Sequence, residues 1–366
     1  MKKKILLIPL ALLLAISLVA TGCPAPPPAP PPAPPPVAPP PAPPPAPPPV
    51  APPAPPPHEI VSVPILLGPV GTTGYTVAVA SAAVSKKFHP WLRLEAQEGI
   101  GYIYALKFHN ANPELWKTMI IGTGLAEAHL GRHALSPVDE KIVGYKQLIT
   151  NLVVTAQLVT FDPDIKTVDD LVGKRVAMGF MSQIVWGVAP TKHLEAAGII
   201  DKIDISRVGT MPTIHALIDG LVDVGMVSFA VNPLTGEAKP GATLIELWGT
   251  GRKLYYISFG EEAIDNLAAE GYPIVPFTMK AGSMTDVDED VLLSPNVFTW
   301  GAKEVFPEEL AYEITKLYLD FYEEFWPYHP LCEFFTPEWF AWGLNKKIVH
   351  PGSLRAFEEA GVTVAD

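Results

Sequence analysis

Ile60-Val61-Ser62-Val63-Pro64-Ile65-Leu66-Leu67-Gly68, followed by Pro69-Val70-Gly71-Thr72-Thr73-Gly74-Tyr75, decides the fold. The first nine residues are a short apolar, β-branched run closed by glycine, which is the pattern of a buried strand. The next six are a Gly/Thr turn, and the small-residue segment from Tyr75 to Lys87 then reads as a helix. Strand, tight turn and helix in that order start an α/β unit whose strands lie parallel. The pattern continues outward. Trp91–Ala96 alternates as a second strand, a loop with Gly99 and Gly101 leads into a helix from Tyr104 to His109, and Thr118–Thr123 is a third strand before a helix at Leu125–Leu130.

A second unit of the same kind follows. Leu152–Phe161 is a long β-rich run, Thr167–Leu171 a capped helical turn, and Arg175–Gly179 a strand. The loop Phe180-Met181-Ser182-Gln183 opens a helix through Ala197, which Pro190 either interrupts or starts. Ile214–Leu221 reads as helix and Val222–Phe229 as strand, ending at Ala230-Val231-Asn232-Pro233; after Val291 come one more strand and long aromatic helices at Pro307–Phe325 and Pro337–Lys347. Two successive α/β units predict two lobes with a cleft between them.

The chain begins differently. Lys2, Lys3 and Lys4 precede an apolar run from Ile5 to Val19, and Ala20-Thr21-Gly22 place small residues before Cys23. That is the pattern of a secretory signal with its cleavage site, and the cysteine at the cut resembles the lipobox of bacterial lipoproteins. The expected location is extracytoplasmic, with lipid on Cys23 holding the protein to the cell membrane. From Pro24 to Pro57, 24 of 34 residues are proline and the rest alanine or valine. Proline fixes φ and removes the amide donor, so this segment reads as a polyproline II stalk of roughly 100 Å.

The 366-residue chain carries a net charge of −12, and losing Lys2, Lys3 and Lys4 with the signal takes it to −15. An acidic chain without a basic run argues against nucleic acid and anionic lipid surfaces as partners. Cys23 and Cys332 are the only cysteines. With the first lipidated no intramolecular disulfide can form, and the aromatic surroundings of Cys332 predict a buried, inert thiol.

Four stretches, in order, resemble the TAXI-type solute receptors of TRAP transporters. They are Gly68-x-x-Gly71-Thr72-Thr73-Gly74-Tyr75; Met119-Ile-Ile-Gly-Thr123-Gly-Leu-Ala-Glu-Ala-His-Leu-Gly131; Ile165-Lys-Thr-Val-Asp-Asp-Leu-Val-Gly-Lys-Arg-Val176-Ala-Met-Gly179 closing with Leu194–Gly198; and Ala216-Leu-Ile-Asp-Gly220-Leu-Val-Asp-Val-Gly225, followed later by Ala281-Gly282 and Asp286–Asp290. The resemblance covers His58 to Phe325. It implies a type II periplasmic-binding-protein fold, two α/β lobes joined by a two-crossing hinge, with crossings near Asn151–Gln157 and Asp288–Pro295. Lobe 1 would comprise 58–153 plus 290–366 and lobe 2 154–289, behind a signal at 1–22 and a stalk at 23–57. It also implies closure over a small carboxylate or amino acid and delivery to a sodium-driven TRAP permease. An ABC importer or a sensor kinase is the alternative client, and a periplasmic enzyme on the same fold the third reading.

In open α/β sheets ligands bind outside the carboxyl ends of the strands. The candidate ligand-binding residues are therefore Thr72, Thr73, Gly74 and Tyr75 at a helix N-terminus, where free amides favour an anion; Gly99; Thr123 and Gly124; Met181, Ser182, Gln183 and Trp186 at the symmetrical position; and Phe229 and Asn232. Relative to the resemblance, the Met181-Ser182-Gln183 loop is bulkier and less polar than the usual small hydroxylated one. None of these loops contains Arg or Lys, so a carboxylate with an apolar or aromatic body fits better than a dicarboxylate. His129 and His133 are spaced as metal ligands on a helix are, but Gly131 between them favours separate surface histidines; Asp286, Asp288 and Asp290 lack the glycine and glutamate of a calcium loop. No catalytic residue, cofactor or metal is expected.

Overall fold

The structure, a computed structural model, describes residues 59–70, 72–124, 142–269 and 275–366. The expected signal, stalk, Cys23, Gly71, the Leu125–Leu130 helix and the His129/His133 pair lie outside the described residues. Among those described, no helix is long and apolar enough to cross a membrane.

The first α/β unit forms as expected. Strand β1 (Val61–Leu66) leads to helix α1 (Thr73–Phe88), β2 (Leu92–Gln97), α2 (Tyr102–Ala111) and β3 (Ile120–Gly124). β1 lies between β2 and β3, parallel to both. Thr72 caps α1 by accepting the Tyr75 amide at 3.4 Å, and Lys86 and Lys87 sit at the helix's negative end. The buried face of α1 is Gly74, Val77, Ala78, Ala80, Ser81, Val84 and Ser85. Such small side chains let the helix lie close on the sheet, and Ser85 Oγ accepts the Leu94 amide at 2.9 Å to tie helix to strand.

Strand β4 (Tyr145–Thr160) is sixteen residues long and runs through both lobes. It starts earlier than the β-rich run at Leu152 suggests. The elements that follow are β5 (Arg175–Met178), α3 (Ala189–Ala196), β6 (Asp204–Arg207), α4 (Thr210–Ile218), β7 (Gly225–Asn232), β8 (Glu237–Pro240), α5 (Ala242–Gly249), β9 (Tyr255–Ile257), α6 (Glu261–Ala269), β10 (Phe277–Met279) and β11 (Val291–Leu293). Chain return is by β12 (Asn296–Lys303), and α7 (Glu308–Asp320), α8 (Pro337–Ala341) and α9 (Pro351–Glu359) complete lobe 1. The main sheet runs β2-β1-β3-β12-β4-β7-β8, with β9 paired to β4 off that path. β12 is antiparallel to β3 and β4, and β4 is antiparallel to β7.

Val154 pairs with Asn296 on one side and Ala230 on the other, so it marks where β4 passes from one lobe to the other. The second passage lies between β11, which pairs with β10, and β12. Two α/β lobes joined by two crossing strands are thus the architecture observed. β4 carries bulges against β12 that leave Asn151 and Leu148 without a cross-strand partner.

Two helical expectations are corrected. The helix expected over Pro307–Phe325 ends at Asp320 and gives way to a 3-10 segment, Tyr322–Tyr328, because Phe321 leaves helical geometry at φ −128° and ψ 28°. That over Pro337–Lys347 is five residues long. Both were read from aromatic density, which here reflects burial: Trp300, Tyr318, Phe325, Phe335, Trp339, Phe340 and Phe357 are all fully buried in one core. Cys332 lies in the same core, where burial pushes its thiol up to about 12.

Candidate functional site: a neutral cleft between the lobes

Two adjoining chambers occupy the cleft. The inner one, about 80 Å³, is bounded in lobe 1 by Gly68, Pro69, Thr72, Thr73, Gly74, Gly101, Tyr102 and Phe298. Leu152 and Val154 of β4 lie across its floor, and Gln183, Ile184, Val185, Trp186 and Ser228 close it from lobe 2. The outer chamber, about 700 Å³, adds Val70, Thr76, Ile100, Phe180, Ser182, Thr210, Met211 and His329 among others. Among the described residues, no Asp, Glu, Lys or Arg lines either chamber.

The lobe 1 wall is the N-terminus of α1. By position, the Thr73 and Gly74 amides have no intrahelical acceptor, and they carry the positive end of the helix dipole. Tyr102 closes this wall from behind. Its ring packs at a tilt against Phe298, with centroids 4.5 Å apart. A Cβ on Gly74 would meet the Tyr102 hydroxyl at 2.2 Å, and one on Gly122 would meet the ring at the same distance. Only glycine at both positions leaves room for the ring. The hydroxyl is buried, has no hydrogen-bond partner, and burial pushes its pKa up.

The lobe 2 wall is a tight turn. Gln183 N donates to Phe180 O at 2.9 Å, Gly179 N to Trp186 O at 2.8 Å, and Phe180 N to Gln183 Oε1 at 3.1 Å. Residues Ile184–Val188 form one π-helical turn before α3. Pro190 falls in the first turn of α3, directly after that π-helical turn, so it sits at the junction of the two helical forms within one continuous helical run. Gln183 Nε2 reaches Thr210 Oγ1 at 3.3 Å, so this side chain joins two loops and its polar atoms are engaged within lobe 2. His329 is also engaged: its Nδ1 accepts the Leu331 amide at 3.0 Å, and desolvation lowers its pKa, so the ring faces the cleft uncharged at neutral pH.

Of the expected ligand residues, Thr72, Thr73, Gly74, Gln183 and Trp186 line the chambers, and Ser182 lines the outer one. The others stand elsewhere. Tyr75 is half-buried against the core. Gly99 packs on the end of β1, where a Cβ would meet Leu67 O at 2.4 Å. Thr123 and Gly124 are buried in the β3–β12 ladder. Met181 turns away from the chambers toward Thr191, whose Oγ1 is 3.7 Å from its sulfur. Phe229 is core, and Asn232 caps a turn through the Leu234 amide at 2.9 Å. The neighbour of Phe229, Ser228, takes the chamber position instead, because side chains alternate along a strand and Phe229 points into the core. Tyr102, Gly101, Leu152, Ser228 and Phe298 were missed. Alternation along the strand is the one signal that points to Ser228.

Among the described residues, no cluster of three or more His, Cys, Asp or Glu gathers as metal ligands. Among the described residues, the chambers contain no pair of acid and base.

The profile of the NMT1-like family matches residues 141–361. The chain belongs to the NMT1-like family. No curated protein matches it. Among solved structures, this NMT1-like protein is similar to the periplasmic binding protein BugD, at 13% identity over 84% of this chain and 99% of that one, with a TM-score of 0.45. It is similar to MatC from Rhodopseudomonas palustris with bound malate, at 14% identity over 83% and 97%, TM-score 0.44. A TRAP periplasmic solute-binding protein from Ochrobacterium anthropi with bound L-fuconate gives 16% over 84% and 89%, TM-score 0.37.

Proposed function

We propose that this protein is a lipid-anchored, extracytoplasmic solute receptor of the TAXI type, which captures a small organic anion between its lobes and hands it to a TRAP-type sodium-coupled permease. The observation that supports this reading best is the cleft itself. It lies where β4 and the β11–β12 connection pass between the lobes, it is lined from both sides, and its polar groups are amides and hydroxyls. A ligand that touches both walls makes its full set of contacts only when the lobes are together, so binding favours closure. The closed form is then what a permease reads. Lobes drawn as 58–153 plus 290–366 and 154–289 place the two walls on opposite sides of the hinge.

The sequence of 1–57 supports the anchoring: a signal pattern, Cys23 at its end, and a proline stalk. A stalk that keeps the receptor within roughly 100 Å of the membrane raises its local concentration at a permease. The test is a thermal-shift screen of the full chain against carboxylates, amino acids and sugars, each followed by product analysis. Bound ligand raises the midpoint by mass action. A rise with small organic anions and no turnover supports the receptor; consumption of any of them overturns it in favour of an enzyme.

A further inference from the structure

The receptor reading does not say how an uncharged cleft holds an anion, or which anion it prefers. Four groups around the inner chamber bear on that. The Thr73 and Gly74 amides are unspent at the N-terminus of α1. Beside them the buried Tyr102 hydroxyl has no partner, although its ring is fixed by Phe298 and by the two glycines it covers. Buried hydroxyls almost always find a partner, so an orphan at the back of a chamber calls for one that arrives with a ligand. Opposite, the Ser228 backbone amide is taken by Thr243 Oγ1 at 3.1 Å, while its side chain faces both chambers. The remaining wall is apolar: Leu152, Val154, Ile184, Trp186 and Phe298.

We propose that the inner chamber takes an amphiphilic monocarboxylate, its carboxylate held by the Thr73 and Gly74 amides with the Tyr102 and Ser228 hydroxyls, and its aliphatic or aromatic body laid against Leu152, Val154 and Trp186. This rests on the receptor reading and assigns the selectivity within it. Neutral donors and one helix end satisfy a single carboxylate. A second carboxylate would be desolvated against the apolar wall with no cation to meet it, which is costly. Since the head-group donors come from lobe 1 and Ser228 from lobe 2, the same carboxylate also links the lobes.

The test is isothermal titration of the full chain with acetate, butyrate, hexanoate, benzoate, succinate, adipate and benzamide. Affinity rises about threefold to fourfold per added methylene from acetate to hexanoate, as burial of each CH₂ requires. Benzoate binds more tightly than benzamide, and adipate more weakly than hexanoate. Tyr102→Phe and Ser228→Ala each lower benzoate affinity on the order of tenfold, and the unliganded midpoint of Tyr102→Phe does not fall, because the hydroxyl it removes has no partner. Adipate binding more tightly than hexanoate, or both variants keeping full benzoate affinity, overturns this assignment and leaves the receptor standing. If none of the acids binds, this assignment falls, and the receptor reading is then decided separately by the wider thermal-shift screen with its amino acids and sugars.

Discussion

Gly101 and Ser182 bring the two lobes into backbone contact: a Cβ on Gly101 would lie 2.4 Å from the Ser182 carbonyl oxygen. Gly101 precedes α2 in lobe 1, and Ser182 belongs to the turn after β5 in lobe 2. At φ 146° and ψ 167°, Gly101 also occupies backbone space that is essentially reserved for glycine. One residue therefore sets both a local conformation and how closely the lobes approach.

Gly101→Ala is expected to hold the cleft ajar. Carboxylate affinity should fall by about tenfold or more, and the scattering radius of the ligand-saturated protein should exceed that of the wild type. Strain alone lowers stability by about 1–3 kcal/mol and needs a control. Gly220→Ala supplies it, because Gly220 has φ 70° and open space around its Cβ. That variant should lose stability and keep its affinity. Equal affinity losses in the two variants would mean that the contact with Ser182 does not limit closure.

Tyr318 provides the contrast to Tyr102. Trp300 Nε1 donates to Tyr318 Oη at 2.6 Å, Tyr318 meets Ser81 Oγ in a short contact, and Ser81 Oγ donates to Val77 O at 2.7 Å. All three side chains are buried, and each hydroxyl both donates and accepts. Tyr318→Phe would strand the Trp300 indole N–H without an acceptor, at a cost of about 1–3 kcal/mol. Tyr102→Phe removes a group that satisfies nothing in the unliganded protein. Denaturant midpoints should drop for the first variant and not for the second, while ligand affinity should do the reverse.

Acid sensitivity between pH 6.5 and 4 is expected from two buried histidines. His193 Nδ1 donates to Ala189 O at 2.7 Å, its ring packs at a tilt against Phe259, and its Nε2 is buried without a partner. His109 lies between Tyr145 Oη at 2.9 Å and Leu115 O at 3.3 Å. Desolvation lowers each pKa from 6.5 to about 4, and nearby Lys303 adds to the shift at His109. Folding favours the neutral ring, so the stabilisation is full above pH 6.5, falls as pH drops, and is gone below pH 4. The loss is on the order of 3 kcal/mol for each ring. Urea unfolding at half-unit steps should show this slope, and His193→Gln should flatten it. An unchanged slope would place the acid sensitivity elsewhere.

The lobes were legible because local chemistry and tertiary role coincide in them. Thr72 looks like a helix cap in the sequence and acts as one, and the apolar run before it is β1. Thr167 and Asp170 form the expected capped turn, a 3-10 turn with a reciprocal capping box. The inner chamber was only half legible, since its remaining residues reach it by topology. Tyr102 sits in an amphipathic helix where an aromatic reads as core, and it reaches the chamber only because Gly74 and Gly122 make room. Phe298 arrives on a strand more than 200 residues after Thr72. β4 reads as one buried run, and its division between lobes at Val154 depends on partners that no local pattern names.

Trp186 offers a direct optical report on the cleft. It lines both chambers, its carbonyl closes the 179–186 turn, and its side chain is half-buried. Trp300 and Trp339 are fully buried in lobe 1, so their emission is insulated from the ligand. Saturating hexanoate should exclude water from the Trp186 indole and shift the chain's emission to the blue. Trp186→Phe should abolish most of that shift while retaining an apolar wall, with affinity falling by less than about tenfold. Trp186→Ala removes the wall as well and should cost more, since a large aromatic contributes mainly through the area it buries. A full blue shift in Trp186→Phe would show that the ligand closes the protein around some other tryptophan, and would move the binding site away from the inner chamber.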